Sequence, residues 1–148
     1  MTLTATMYGP VLLSAFHGEV NLTSDTLKCL LVSAAYTPNR DTHRYLSSVV
    51  ANEVAGTGYT AGGVTLTTVT CTLDSGTHTV KFDCDDVTWA AVTFSTAPRY
   101  AIFYDATPST DATRPLIAYW DFGADASSSG SAFTLQVGAD GVFKAPYS

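Results

Sequence analysis

The chain has 148 residues, 46% of them hydrophobic and only 14% charged, so it is long enough for one sizeable core and too apolar to be intrinsically disordered. Its 7 Lys and Arg against 13 Asp and Glu leave a net charge of −6. The cations (Lys28, Arg40, Arg44, Lys81, Arg99, Arg114 and Lys144) are dispersed, which argues against nucleic-acid backbones and anionic membranes as partners, since both are held by clustered positive charge.

Thr and Ser supply most of the polarity, and Thr favours pleated, half-buried strands. The composition predicts an all-β protein folded as a single β-rich domain over residues 1–148. Met1 to Pro10 carries neither a cationic n-region nor a long apolar h-region, so no secretory signal is expected and folding in the cytoplasm of the producing cell follows. No apolar run approaches the roughly 18 residues of a membrane-spanning helix.

Val11 to Phe16 is a short apolar run that reads as a strand. Leu27 to Val32 is apolar almost without interruption, as a strand covered on both faces would be. Asp41 to Val54 is the one segment with a helical stripe: Tyr45, Leu46, Val49 and Val50 recur at spacings of three and four, with Asp41 or Thr42 as cap. One short helix is predicted near residues 42–54, ended by Gly56. The glycines of Gly56 to Gly63 fit no phosphate-loop spacing and read as turns requiring positive φ.

From Val64 the period is two. Val64 and Leu66 share one phase while Val69, Cys71 and Leu73 occupy the other, so Thr67-Thr68 is a candidate bulge. Asp74-Ser75-Gly76 turns the chain into an alternating strand, His78 to Cys84, and the two runs form a predicted hairpin. Val87 and Trp89, then Val92 and Phe94, mark two short stretches. Tyr100 to Tyr104 and Leu116 to Phe122 are apolar in both phases and read as central strands joined by Asp105 to Pro115. Phe133, Leu135 and Val137 alternate again, and Gly138 to Gly141 turns toward Val142-Phe143. The expected architecture is a compact β-sandwich or barrel of about eight to ten short strands.

No side-chain constellation points to chemistry. Cys29, Cys71 and Cys84 are an odd number without a C-x-x-C pair and are expected as buried free thiols, a Cys71–Cys84 bridge being the alternative. His17, His43 and His78 lie far apart with no ligand at metal spacing. Asp83, Asp85 and Asp86 form the densest acidic cluster. It reads as a solvated strand edge, with a Ca²⁺ site as the lesser alternative because calcium needs more oxygen ligands than these. Asp121-Phe122-Gly123 copies a kinase triplet without the loops a kinase needs, so it is a strand end. Tyr100, Tyr104, Tyr119 and Trp120 could form a sugar-binding platform, but their apolar strands favour core packing. Hence no catalytic, cofactor-binding or metal-ligating residue is assigned, no cofactor is expected, and the chain is read as no enzyme.

Four strings nevertheless form a pattern: Ala35-Tyr36-Thr37-Pro38-Asn39-Arg40-Asp41-Thr42-His43, then Asn52 to Leu66 (NEVAGTGYTAGGVTL), then Asp85-Asp86-Val87-Thr88-Trp89, and finally Leu116 to Gly123 (LIAYWDFG). In this order, from about Tyr8 to Phe143, the chain resembles a family of small tailed-bacteriophage virion structural proteins. The resemblance implies a capsid decoration (cement) protein or a tail-associated protein, and no catalytic residues. The implied partners are other virion proteins, the major capsid protein first and tail proteins second. A homo-oligomer is expected, with a trimer matching local threefold sites of a shell. The alternative implied role is a tail or fibre module that recognises host glycans.

Overall fold

The computed structural model describes residues 5–148; residues 1–4, which open the segment read above as lacking a secretory signal, lie outside it. The described chain is mostly β, with strands in three antiparallel sheets and no closed barrel. Its centre is a five-stranded sheet. Strand β8 (Tyr100–Asp105) pairs on one side with β9 (Leu116–Asp121) and on the other with β2 (Leu27–Val32), while β1 (Thr6–Met7) flanks β9 and β4 (Val64–Thr65) flanks β2.

Alternation sends these strands' side chains to two separate cores. Leu27, Cys29, Leu31, Ala101, Phe103, Ala118 and Trp120 enter one cluster, while Leu30, Val32, Ile102, Tyr104 and Leu116 enter the other. Both faces are covered, which is why these strands read as nearly continuous apolar runs. Ile117 is the extra residue of a bulge, sitting between the Phe103–Ala118 and Tyr104–Leu116 pairs.

Two three-stranded sheets share the first cluster and make the molecule a sandwich. One comprises β3 (Gly56–Thr57), β7 (Val87–Phe94) and β10 (Ser131–Leu135), in the order β10-β7-β3. The other comprises β5 (Thr70–Asp74), β6 (Thr79–Asp83) and β11 (Phe143–Pro146), in the order β11-β6-β5. Val87, Trp89, Val92, Phe133, Leu135 and Phe82 are their buried contributions. On the opposite side of the central sheet, Tyr8, Tyr36, Leu46 and Val49 close the second cluster from connecting segments.

The all-β reading and the β5–β6 hairpin hold, but the helix lies elsewhere. Helix α1 is Pro10–Phe16, the run expected as a strand. Pro10 occupies the first turn, where a missing N–H costs nothing, and Gly18 (φ 73°) closes the far end after His17 and Gly18 donate back to Leu13 and Ala15. Near residues 42–54 there is no α-helix but two 3₁₀ turns, Leu46–Ser48 and Val50–Asn52. Tyr45 is held extended against Pro115, and the β-branched pair Val49-Val50 interrupts helical geometry; three-residue spacing still buries Leu46 and Val49 together. The Thr67-Thr68 phase change is a break between β4 and β5, in different sheets, with Thr68 at φ 52°, and not a bulge within one strand. Conversely, Val87 to Phe94 is one strand, whose phase shifts because Ala90 and Ala91 together oppose Ala132.

The segment 52–66 joins the layers. It leaves the second-core side, contributes β3 to one sheet and then β4 to another. Gly58 (φ 80°) approaches β7 so closely that a Cβ would stand 2.0 Å from the Ala91 carbonyl oxygen, and at Gly63 (φ 74°) it would stand 1.9 Å from that of Cys29. Between these glycines Tyr59 stacks on Trp89 (centroids 6.2 Å, planes 19° apart). Its hydroxyl accepts from the Leu31 N–H (3.0 Å) and donates to Glu53 Oε1 (2.8 Å), and the Gly62 N–H donates to the same oxygen (2.7 Å). β4 covers β2 only at Lys28 and Cys29, so Tyr59 and the Val54 N–H, which donates to the Leu31 carbonyl, satisfy the exposed remainder of that edge. Burial, and secondarily Glu53, raise the Tyr59 pKa and keep the hydroxyl protonated.

Tyr59→Phe leaves the Leu31 N–H without an acceptor and is expected to lower the unfolding free energy by about 1–3 kcal/mol in urea titrations. Gly63→Ala forces both a positive-φ side chain and a backbone clash, and its expected loss is the larger, about 2 kcal/mol or more.

Candidate functional site

The residues singled out by sequence do not converge. Cys29 and Cys84 are buried and Cys71 is exposed, so the expected burial of all three thiols is corrected at Cys71, which sits on an edge strand; all three are free and no Cys71–Cys84 bridge forms. His43 Nδ1 lies 2.8 Å from the Tyr36 hydroxyl, which in turn meets Tyr8 Oη at 2.8 Å, making a short polar chain beneath the second core. His17 is 4.0 Å from Glu19, and His78 packs edge-on against Tyr147. No group of three or more His, Cys, Asp or Glu among the described residues is arranged to hold a metal ion.

Each acid of the Asp83–Asp86 cluster has its own local partner. Asp83 pairs with Lys81 (2.9 Å) and accepts from the Cys84 N–H; Asp85 accepts from the hydroxyls of Thr67 and Thr68; Asp86 accepts from the Val137 N–H. These bonds fix the β4–β5 break and the segment after β10 to the end of β6. Asp121 likewise accepts from Arg99 (2.7 Å) and from Gly123 N–H, as a strand-end turn. Tyr104 and Trp120 are buried, and Tyr100 and Tyr119 pack on Tyr36 and Tyr8, so these four aromatics present no shared platform.

Two buried side-chain atoms among the described residues lack a hydrogen-bond partner, the Trp89 indole Nε1 and Asp105 Oδ2. Asp105 is fully buried at the end of β8; its Oδ1 accepts from the Thr107 N–H (2.8 Å) while Oδ2 has no donor. Burial first, then the adjacent Asp25 carboxyl, raise its pKa.

What the fold does gather is apolar surface. Five large hydrophobics are exposed among the described residues: Leu12, Leu13 and Phe16 of α1, Leu73 of β5, and Tyr147 just after β11. Phe16 is 85% exposed. Val11 and Ser14 turn inward from α1, and the facing sheet presents Val80, Phe82, Phe143 and Ala145. Between helix and sheet runs a groove of about 430 Å³, lined almost wholly by hydrocarbon.

Polar contacts behind the helix hold the groove open. The Gly9 N–H donates to the Arg40 carbonyl (2.8 Å), and Arg44 reaches both Glu19 oxygens (2.9 and 3.0 Å) beside buried Ser14. The opposite face of the same sheet, with Thr79, Lys81, Asp83 and Lys144, is polar. The groove therefore offers apolar sockets without convergent hydrogen-bond donors, which suits aliphatic or aromatic protein side chains. Sequence reasoning missed it because exposed Leu12, Leu13 and Phe16 make the helix apolar beyond its buried side and erase the amphipathic pattern. Pro10 and Gly18 were the available signals.

Comparison of the chain with protein-family models, with curated proteins and with solved structures finds no match in any of the three.

Two predictions follow from the buried groups. Cys84, pushed up to about 12 by burial and then by Asp83, Asp85 and Asp86, and Cys29, raised by burial, are expected to resist a maleimide in the native state, whereas Cys71, exposed in the single chain, reacts; in dilute solution, where the chain is monomeric, mass spectrometry should count one adduct in buffer and three in denaturant. Because Asp105 is raised in the folded state, its contribution is complete below the unfolded value and is lost as pH rises through the folded one. Asp105→Asn, which carries an N–H donor at every pH, should therefore gain stability relative to the parent chain as pH is raised from acid to neutral in paired melting curves.

Proposed function

We propose that the chain is a bacteriophage virion structural protein, a decoration protein that docks on the capsid shell through the apolar groove beside α1. The observation that carries this reading is the concentration of exposed Leu12, Phe16 and Tyr147 on one concave, uncharged surface, in a chain whose other apolar residues largely enter two cores. An apolar groove of this kind docks without desolvating ions, and few charges elsewhere suit close packing among neighbouring subunits. The resemblance of the Tyr36–His43, Asn52–Leu66, Asp85–Trp89 and Leu116–Gly123 strings to phage virion proteins supplies the setting. In this reading the protein has no catalytic role and needs no cofactor, and its location is the mature particle.

The rival reading, a tail-associated glycan-binding module, needs an exposed aromatic platform. Tyr104 and Trp120 are buried, and the groove's lining offers little polarity to bind sugar hydroxyls.

Purified particles of the phage encoding this chain provide the test. Labelled copies should decorate the whole shell, and particles lacking the chain should lose resistance to heat or osmotic shock. Phe16→Asp, at a site already open to solvent, should leave the fold intact and abolish rebinding to stripped particles. Absence from particles, confinement to the tail, or undiminished rebinding of that variant would refute the decoration role.

A further inference from the structure

We propose that two copies of this chain pair antiparallel through strand β5, about a twofold axis at Thr72, to form one continuous six-stranded sheet.

β5 is the outer strand of the β11-β6-β5 sheet, and all five of its residues, Thr70 to Asp74, are exposed. Such an edge presents unpaired backbone donors and acceptors, which proteins usually blunt with Lys, Pro or a bulge. β5 contains none of these, and its pairing with β6 is regular from Thr70–Asp83 to Asp74–Thr79. An antiparallel edge is self-complementary under a twofold axis normal to the sheet. Centring that axis on Thr72 pairs all five residues of each strand. Thr70 then faces Asp74 of the second copy, a hydroxyl against a carboxylate, and neither Asp74 opposes its own equivalent.

Side chains specify the same arrangement. Directly opposed residues of an antiparallel pair point to one side, so Leu73 of each copy lies beside Cys71 of the other. Cys71 and Leu73 stand opposite Phe82 and Val80 and therefore share the sheet face that floors the groove. Cys71 also lines a second, open depression of about 560 Å³, whose apolar walls are Ala15, Val20 and Leu22. Leu73, 66% exposed in the single chain, is thus a protruding side chain, and the register delivers it to a depression on the other copy, twice over. This knob-and-hollow match selects a second copy as the occupant of the edge. Because the axis is normal to the sheet, both apolar grooves emerge on the same face, and the dimer is a two-site docking surface. The proposed contact is twofold, whereas the resemblance to virion proteins implied a trimer.

The pairing is independent of the virion role and is tested on the isolated chain. Sedimentation equilibrium should give twice the 15.6 kDa chain mass in the micromolar range. Leu73→Lys should weaken association about tenfold or more while circular dichroism stays unchanged. In a Cys71→Ser background, Thr72→Cys should cross-link to a disulfide dimer under mild oxidation, since residues on the axis lie within disulfide reach, whereas Asp74→Cys should not. A chain that stays monomeric at high concentration, an oligomer unaffected by Leu73→Lys, or a Thr72→Cys variant no more cross-linked than Asp74→Cys would overturn the proposal. None of those outcomes bears on whether the chain is found in particles.

Discussion

The contact between the glycine-framed segment at Tyr59 and strands β2 and β7 is the constraint on which the architecture depends. Two sheets that share a core still need a fixed separation and angle, and dispersion forces alone specify neither sharply. Here the backbone approaches one carbonyl in each sheet more closely than any side chain allows, at Gly58 and at Gly63. Tyr59 fills the intervening space against Trp89 and hydrogen-bonds the main chain of Leu31. The ring gives the packing its bulk and the hydroxyl gives it a register. Glu53 completes the arrangement by accepting from both Tyr59 and Gly62, so the edge of β2 keeps few polar groups unanswered.

With the layers fixed, the polar side chains become local fasteners. Arg99 with Asp121, Lys81 with Asp83, and Asp85 with two threonines each secure a strand end or a turn. Partly exposed pairs of this kind add little net stability, typically about 0–1 kcal/mol each, but they fix loop geometry. The acidic cluster and the kinase-like triplet are thus engaged in local hydrogen bonds. The largest apolar features left at the surface are the groove along α1 and, on the same sheet, the unblunted edge of β5.

Periodicity found the strands well wherever one local environment acted along the whole segment. The central strands β2, β8 and β9 are apolar in both phases because both faces are buried, and β6 alternates because only one is. The same logic misread the helix. Around Leu46 and Val49 the three-residue spacing reports two 3₁₀ turns, since Tyr45 is pinned extended by Pro115, some seventy residues away in sequence. At Pro10–Phe16 the helix was hidden by its own exposed leucines and phenylalanine, which blur the contrast between its inner and outer sides. Thr67-Thr68 showed its phase change plainly, but a bulge and a jump between sheets leave the same trace in sequence.

The sequence by itself determined the class of the protein: a β fold with an apolar interior, scattered cations and turns at its glycines. Those properties follow from composition and from the two-residue period, which act over a few neighbouring positions. Only the tertiary structure decided which glycines meet backbone, which thiol faces solvent, and that the exposed apolar side chains of α1, β5 and the chain's end gather on one sheet. That gathering joins residues near 12, 73 and 147, a distance along the chain that no local pattern spans, and it is set by how the edges of separate sheets come together.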